Sequence, residues 1–300
     1  MPYIEFDTHS GTLGYDIRDK YAGLSGYRGR DTEIIIPPEI EYLGEKYPVT
    51  RISKKAFLSN RYIHSVTVPE SIEVISDWAF AGCRNLESVF IHRNIDLENG
   101  VFKDCINLKQ IHVDDSVHGD IDYLLAAVIF LLEDKYLIDF KNAGSEQWIT
   151  NWDNKARVIL NEPDEEGFSD LLACGEEDYE GRDNTIEAYL SRRRKRKVRV
   201  CLMRLLHDVG LEDELKQQMV NYLRTYGPGN PERETWEVVL EEHGDELEYY
   251  ELLCSFDIIN KNNLDLCLDD MGQFHARMKA YLLRICGTDS GDAFFDDMDL

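Results

Sequence analysis

From Ile52 onward the chain repeats itself: ISKKAFLSNRYIHSVTV, ISDWAFAGCRNLESVFI and LENGVFKDCINLKQIHV begin 23 and then 22 residues apart. Phe57, Phe80 and Phe102 recur at those steps, as do the pairs Val66/Val68, Val89/Ile91 and Ile111/Val113, so the period belongs to packing positions. A fixed period in the twenties specifies a solenoid, because one such unit cannot bury its own apolar face and must stack on its neighbours.

Each V-x-V or V-x-I triplet alternates apolar with variable, the pattern of a short strand with one buried face. Its middle residues, Thr67, Phe90 and His112, then point outward together from a growing parallel sheet. After the strand the chain turns near Pro69, meets a second apolar position such as Ile75, and reaches the pairs Ala56/Phe57, Ala79/Phe80 and Val101/Phe102, whose rings are expected to stack. Three residues past each Phe stands Asn60, Cys83 or Cys105, followed by Ile63, Leu86 or Leu108. A compact side chain suits that inner bend, so Cys83 and Cys105 read as a structural ladder. Ile34/Ile36 before two prolines mark an earlier strand, and Tyr15/Ile17 with Ala22/Leu24 mark a leading hairpin over the exposed end.

The phrases IIIPP, YPVTRISKKAF, VTVPESIEVISDWAFAGCRNLESVFI and VFKDCINLKQIHV resemble the BspA type of leucine-rich repeat over roughly residues 12–118. The last copy departs, with Val101 for the Ala and Asn94 for the Pro. The resemblance implies binding by the strand face, often to other proteins, and brings no common catalytic residues.

Of the net charge of −25, residues 120–300 carry −20, with 40 acidic and 20 basic side chains. Such a body repels nucleic acid and anionic membranes, so neither is expected as a partner. No basic leader with an apolar stretch opens the chain, and the longest apolar run, 124–132, is too short to cross a bilayer. Seven cysteines without a C-x-x-C pair favour reduced thiols. The expected location is the cytoplasm.

Past Val117 a helical period replaces the alternation. Helical stretches are expected over 146–160, 165–173, 185–208, 212–226, 232–243, 246–256 and 264–285, punctuated by Gly210, Gly244 and Gly287. FSDLLACG with NTIEAYL is echoed about 80 residues later by YYELLCSF with NLDLCLDD. The pattern resembles ankyrin-like helix pairs, with Ala280-Tyr-Leu-Leu in the place of their Ala-x-Leu-Leu. The expected class is therefore α+β: a leucine-rich-repeat solenoid with a capping hairpin over 1–118, an acidic helical domain over 119–287, and an acidic tail over 288–300. The run 124–132 is expected to cover the open end of the repeat core.

The best functional surface is the strand-face stripe of Ser65, Thr67, Ser88, Phe90, His92, Gln110, His112 and Asp114, with Phe90 as the anchor for a protein or peptide. No catalytic residue, metal or cofactor is assigned. Two alternatives stand beside this reading. His112, Asp114, Asp115 and His118 have the residue types of a metal or hydrolase site, and the acidic tail with Phe294, Phe295, Met298 and Leu300 could work as an adaptor segment. The seven bases between Arg192 and Arg199 are expected to pair with neighbouring acids, with a polyanion contact as the sharper reading.

Overall fold

The computed structural model describes residues 2–114, 119–168 and 185–287. The chain falls into two compact units, Met1–Trp152 and Asp153–Leu300.

The first unit opens with an antiparallel meander of β1 (Tyr3–Asp7), β2 (Gly11–Arg18) and β3 (Tyr21–Gly29). From β3 the pairing turns parallel: β6 (Glu45–Ile52) lies beside it, then β8 (Val74–Ile75), then β10 (Asp96–Leu97), with β5 (Glu39–Tyr42) returning against β6. A second, wholly parallel sheet runs β11-β9-β7-β4, from Gln110–Val113, Ser88–Ile91, Ser65–Thr67 and Glu33–Ile35. The position read from sequence as only a second apolar contact, Ile52, Ile75 or Leu97, is thus a strand as well, and each coil contributes to two sheets. Alternation explains the core between them, since Val66, Val89, Ile111, Ile52 and Ile75 are all fully buried.

The aromatic column is present. Phe57 and Phe80 stack with centroids 4.7 Å apart, and Phe80 and Phe102 follow at 5.6 Å, with interplanar angles of 9° and 14°. Tyr27 of the leading meander extends the column at 5.7 Å from Phe57. Its amide donates to the Ala56 carbonyl as that of Phe57 does to Ala79, so the hairpin ends the stack by imitating a coil.

The cysteine ladder also has a visible cause. The Cys83 thiol donates to the Phe57 carbonyl and the Cys105 thiol to that of Phe80, each at 3.1 Å. Burial pushes these thiols up to about 11 and about 12, so both stay protonated and inert. Asn60 fills the same place by accepting the amides of Tyr62 and Ile63, and Asn85 and Asn107 donate their side-chain amides to the preceding coil's Arg61 and Arg84 carbonyls.

Beyond β11, α1 (Gly119–Ala127) packs against that strand and runs into a π-helical turn, Val128–Leu132. Leu124, Leu125, Ala126, Ala127 and Val128 are buried, as an end cap requires. The period changes at 118, yet the compact unit extends to Trp152. Early residues of α2 (Glu146–Asn161) are fastened to the cap, with Trp148 donating to the Leu137 carbonyl and Trp152 to that of Leu124.

In the second unit α3 (Ile186–Leu206) is the central element, packed by α4 (Asp213–Thr225), α5 (Glu234–Glu242) and α6 (Leu247–Ser255). Then α7 (Leu264–Asp270) and α8 (Ala276–Cys286) follow, with α8 against both α6 and α7. The first echo of the internal repeat, around 168–184, falls largely outside the described residues. Arg204, fully buried, makes a two-pronged pair with Asp153 at 2.6 and 3.2 Å and also donates to the His207 and Val209 carbonyls. The basic run lies on α3 and its cations meet acids: Arg193 meets Glu162, Arg194 meets Asp164 and Glu234, Lys195 meets Glu237 and Glu241, Lys197 meets Asp164, and Arg199 meets Glu242. The run is the positive half of an internal ion-pair network.

Candidate functional site

The outer face of the four-stranded sheet is set by strand register. Ser65 pairs with Ser88 and Ser88 with Gln110; Thr67 pairs with Phe90 and Phe90 with His112. Two rows of side chains therefore cross the sheet, one polar and one mixed. Phe90 is 41% exposed, Thr67 and Asp114 are exposed, and Ser65, Ser88, Gln110 and His112 are partly so.

Two members were not legible at first. Ile35, the middle residue of the Ile34-Ile35-Ile36 run, pairs with Thr67 and is 73% exposed. The same alternation that exposes Phe90 exposes it, so a strict reading of that run finds it. The second is Asp122 on α1, whose Oδ2 lies 2.7 Å from His112 Nδ1. Only the fold of the cap brings that carboxylate, almost wholly buried, to the sheet.

His92 corrects the expected stripe. It is 7% exposed, because the chain turns inward after β9 and its Nε2 meets the Ile72 carbonyl at 2.7 Å. The histidine closes a coil and does not join the outer face.

Toward the β11 edge of the face stands a stacked pair: the Phe90 and His112 rings lie 4.4 Å apart at 16°. Asp122 holds Nδ1 of that imidazole as a hydrogen-bond donor, which fixes the ring plane against Phe90. The row Ile35, Thr67, Phe90, His112 thus offers apolar and aromatic surface beside a hydroxyl and an imidazole, next to the polar row of Ser65, Ser88 and Gln110. Asp115 and His118, needed for the metal alternative, lie outside the described residues. Among the described residues no three His, Cys, Asp or Glu side chains are grouped to hold a metal.

Residues 32–124 match the model of the BspA type Leucine rich repeat region, in 6 copies. This stretch is a BspA-type leucine-rich repeat region. No curated protein matches the chain. Among solved structures it is similar to a leucine rich cell surface protein from Faecalibacterium prausnitzii, at 24% identity over 37% of this chain and 31% of that one, TM-score 0.31. It is also similar to the Leucine Rich Repeat protein of T. pallidum, at 22% identity over 33% of this chain and 46% of that one, TM-score 0.31. A leucine-rich repeat protein from Bacteroides capillosus shares 24% identity over 37% of this chain and 98% of that one, TM-score 0.29. The chain covers less than half the length of the first two. Among the described residues no helix is long and apolar enough to cross a membrane.

Proposed function

We propose that the chain is a non-enzymatic scaffold that binds a protein or peptide on the outer face of its four-stranded sheet. The BspA-type region is a repeat scaffold of a kind commonly used for protein interaction. The observation that carries the finer reading is the stacked Phe90–His112 pair, with Phe90 exposed, that closes the Ile35–Thr67–Phe90–His112 row. A rigid aromatic anchor flanked by polar groups gives large contact area at small entropic cost.

Peptides selected from a displayed library against the full chain test this directly. Phe90→Ala is expected to weaken the selected peptides by about tenfold or more. Unchanged affinity in that variant, with binding mapped to another surface, rejects the face. For location, the free thiols Cys83, Cys105, Cys201, Cys254, Cys267 and Cys286 favour a reducing cytoplasm. Fractionation of host cells checks this, and recovery of the chain from the cell surface refutes it.

A further inference from the structure

Six free cysteines stand among the described residues, and two of them face each other in the helical unit. Cys254, one residue before the end of α6, has its Sγ 3.7 Å from that of Cys286, the last residue of α8. The other thiols are placed differently. Those of Cys83 and Cys105 donate to carbonyls at 3.1 Å, and Cys201 and Cys267 are fully buried. The described residues end at Gly287, so the acidic tail over 288–300 lies outside them, as does Cys174.

The facing pair has the geometry of a disulfide that has not yet closed. A disulfide holds its sulfurs about 2.05 Å apart, so these two must approach by about 1.7 Å. Side-chain rotation and a small shift of the last turn can supply that at helix ends, where backbone hydrogen bonds are fewest. Past Cys254 the backbone leaves the helix and turns through Asp257 at φ 55°, and past Cys286 it leaves at Gly287. Access to the two sulfurs is graded. Cys254 is partly exposed, while Cys286 is 6% exposed and its thiol reaches the Ile259 carbonyl at a loose 3.7 Å.

We propose that Cys254 and Cys286 form a redox modification site whose co-reactant is a low-molecular-weight disulfide. The Cys254 thiol, its proton released to water, attacks one sulfur of the co-reactant. A bond forms between Cys254 Sγ and that sulfur, the co-reactant's sulfur–sulfur bond breaks, and the departing thiolate takes up a proton. Cys286 then attacks Cys254 Sγ in the same way, forming the Cys254–Cys286 bond and expelling the second thiol. Two protein thiols are oxidised, and one co-reactant disulfide is reduced to two thiols.

Burial above all, with the neighbouring Cys286, holds the Cys254 thiol above its ordinary value. The exchange is therefore slow, and the dithiol persists wherever thiols outnumber disulfides. Once made, the bond fastens α8 to α6 and encloses α7 in a covalent loop, which restricts the unfolded chain more than the native one. The site does not depend on the strand-face reading and stands without it.

Incubation of the folded full chain with hydroxyethyl disulfide, chosen uncharged because residues 120–300 carry −20, tests the proposal. After alkylation of the remaining thiols, peptide mapping is expected to find Cys254 joined to Cys286, a bond that dithiothreitol opens. Cys286→Ser removes the resolving sulfur, so a hydroxyethyl thiol group should stay attached to Cys254, whereas Cys254→Ser should leave Cys286 with neither link nor adduct. The linkage should form equally in a Cys174→Ser chain. Once linked, amide exchange in α8 is expected to slow by about tenfold or more. Failure of the folded chain to form this linkage, linkage to Cys267 in its place, or exchange in α8 no slower once linked overturns the proposal.

Discussion

The two units both bury apolar cores but arrange their other contacts differently. The repeat unit stacks like on like: each Phe meets the Phe of the next coil, and each cysteine thiol meets the preceding coil's carbonyl. The helical unit joins opposites, with the cations of α3 facing acids from other segments around a buried Arg204–Asp153 pair. A repeating core announces itself in sequence because every coil needs the same residue at the same place. A charge network does not, because any acid within reach satisfies a given base.

The largest test of the contrast is Phe80→Ala. Removing a fully buried ring from the middle of the column should cost about 3–5 kcal/mol in urea unfolding of the repeat signal. A loss below about 1 kcal/mol breaks the claim that the column is the core. Arg204→Met is the counterpart in the helical unit: it leaves Asp153 buried without its partner and should cost about 3–5 kcal/mol there. Hydrogen exchange resolved by unit should report each loss in its own region.

A smaller effect concerns acid. Asp31 resists the upward push of burial because the Thr8 hydroxyl, the Tyr27 hydroxyl and the Ser10 amide donate to it, which holds its carboxyl below the ordinary 3.8. A carboxyl lowered on folding stabilises the native chain above its unfolded value, and that contribution is lost as pH falls through the lower folded value. The leading meander should therefore loosen below roughly pH 4, and Asp31→Asn should flatten that limb of a pH titration of unfolding. An unchanged limb in the variant assigns the acid response elsewhere.

Salt gives the smallest effect and sharpens the comparison most selectively. Pairs such as Lys195–Glu241 and Arg199–Glu242 are partly exposed, so each is worth about 0–1 kcal/mol and is weakened by ions. Raising sodium chloride from ~0.1 M to ~1 M should speed amide exchange in α3 and α5 while the repeat strands hold or tighten. Equal responses in both units remove the distinction.

Legibility followed the same division. Phe57, Phe80 and Phe102 could be placed in a column before any coordinates, since their spacing is the coil. The outward row of Thr67, Phe90 and His112 followed from alternation alone, and Ile35 obeys the same rule. His92 did not, because a turn overrides alternation at a strand's end and the Ile72 carbonyl offered its imidazole a buried partner. The extension of the leading meander through β8 and β10 was hidden because these strands are two residues long, too short to show a period. Asp122 was beyond reach for another reason: it approaches His112 through the packing of α1 on β11, a relation between elements that no local pattern encodes.

Phe80 and Phe90 sit ten positions apart in one coil, the first sealed and the second 41% exposed, and the account assigns them opposite duties. The decisive measurement pairs urea unfolding with the affinity of library-selected peptides for the wild-type and Phe90→Ala chains. The account predicts that Phe90→Ala keeps stability within about 1 kcal/mol yet loses about tenfold or more in affinity. Full affinity retained by that variant contradicts it.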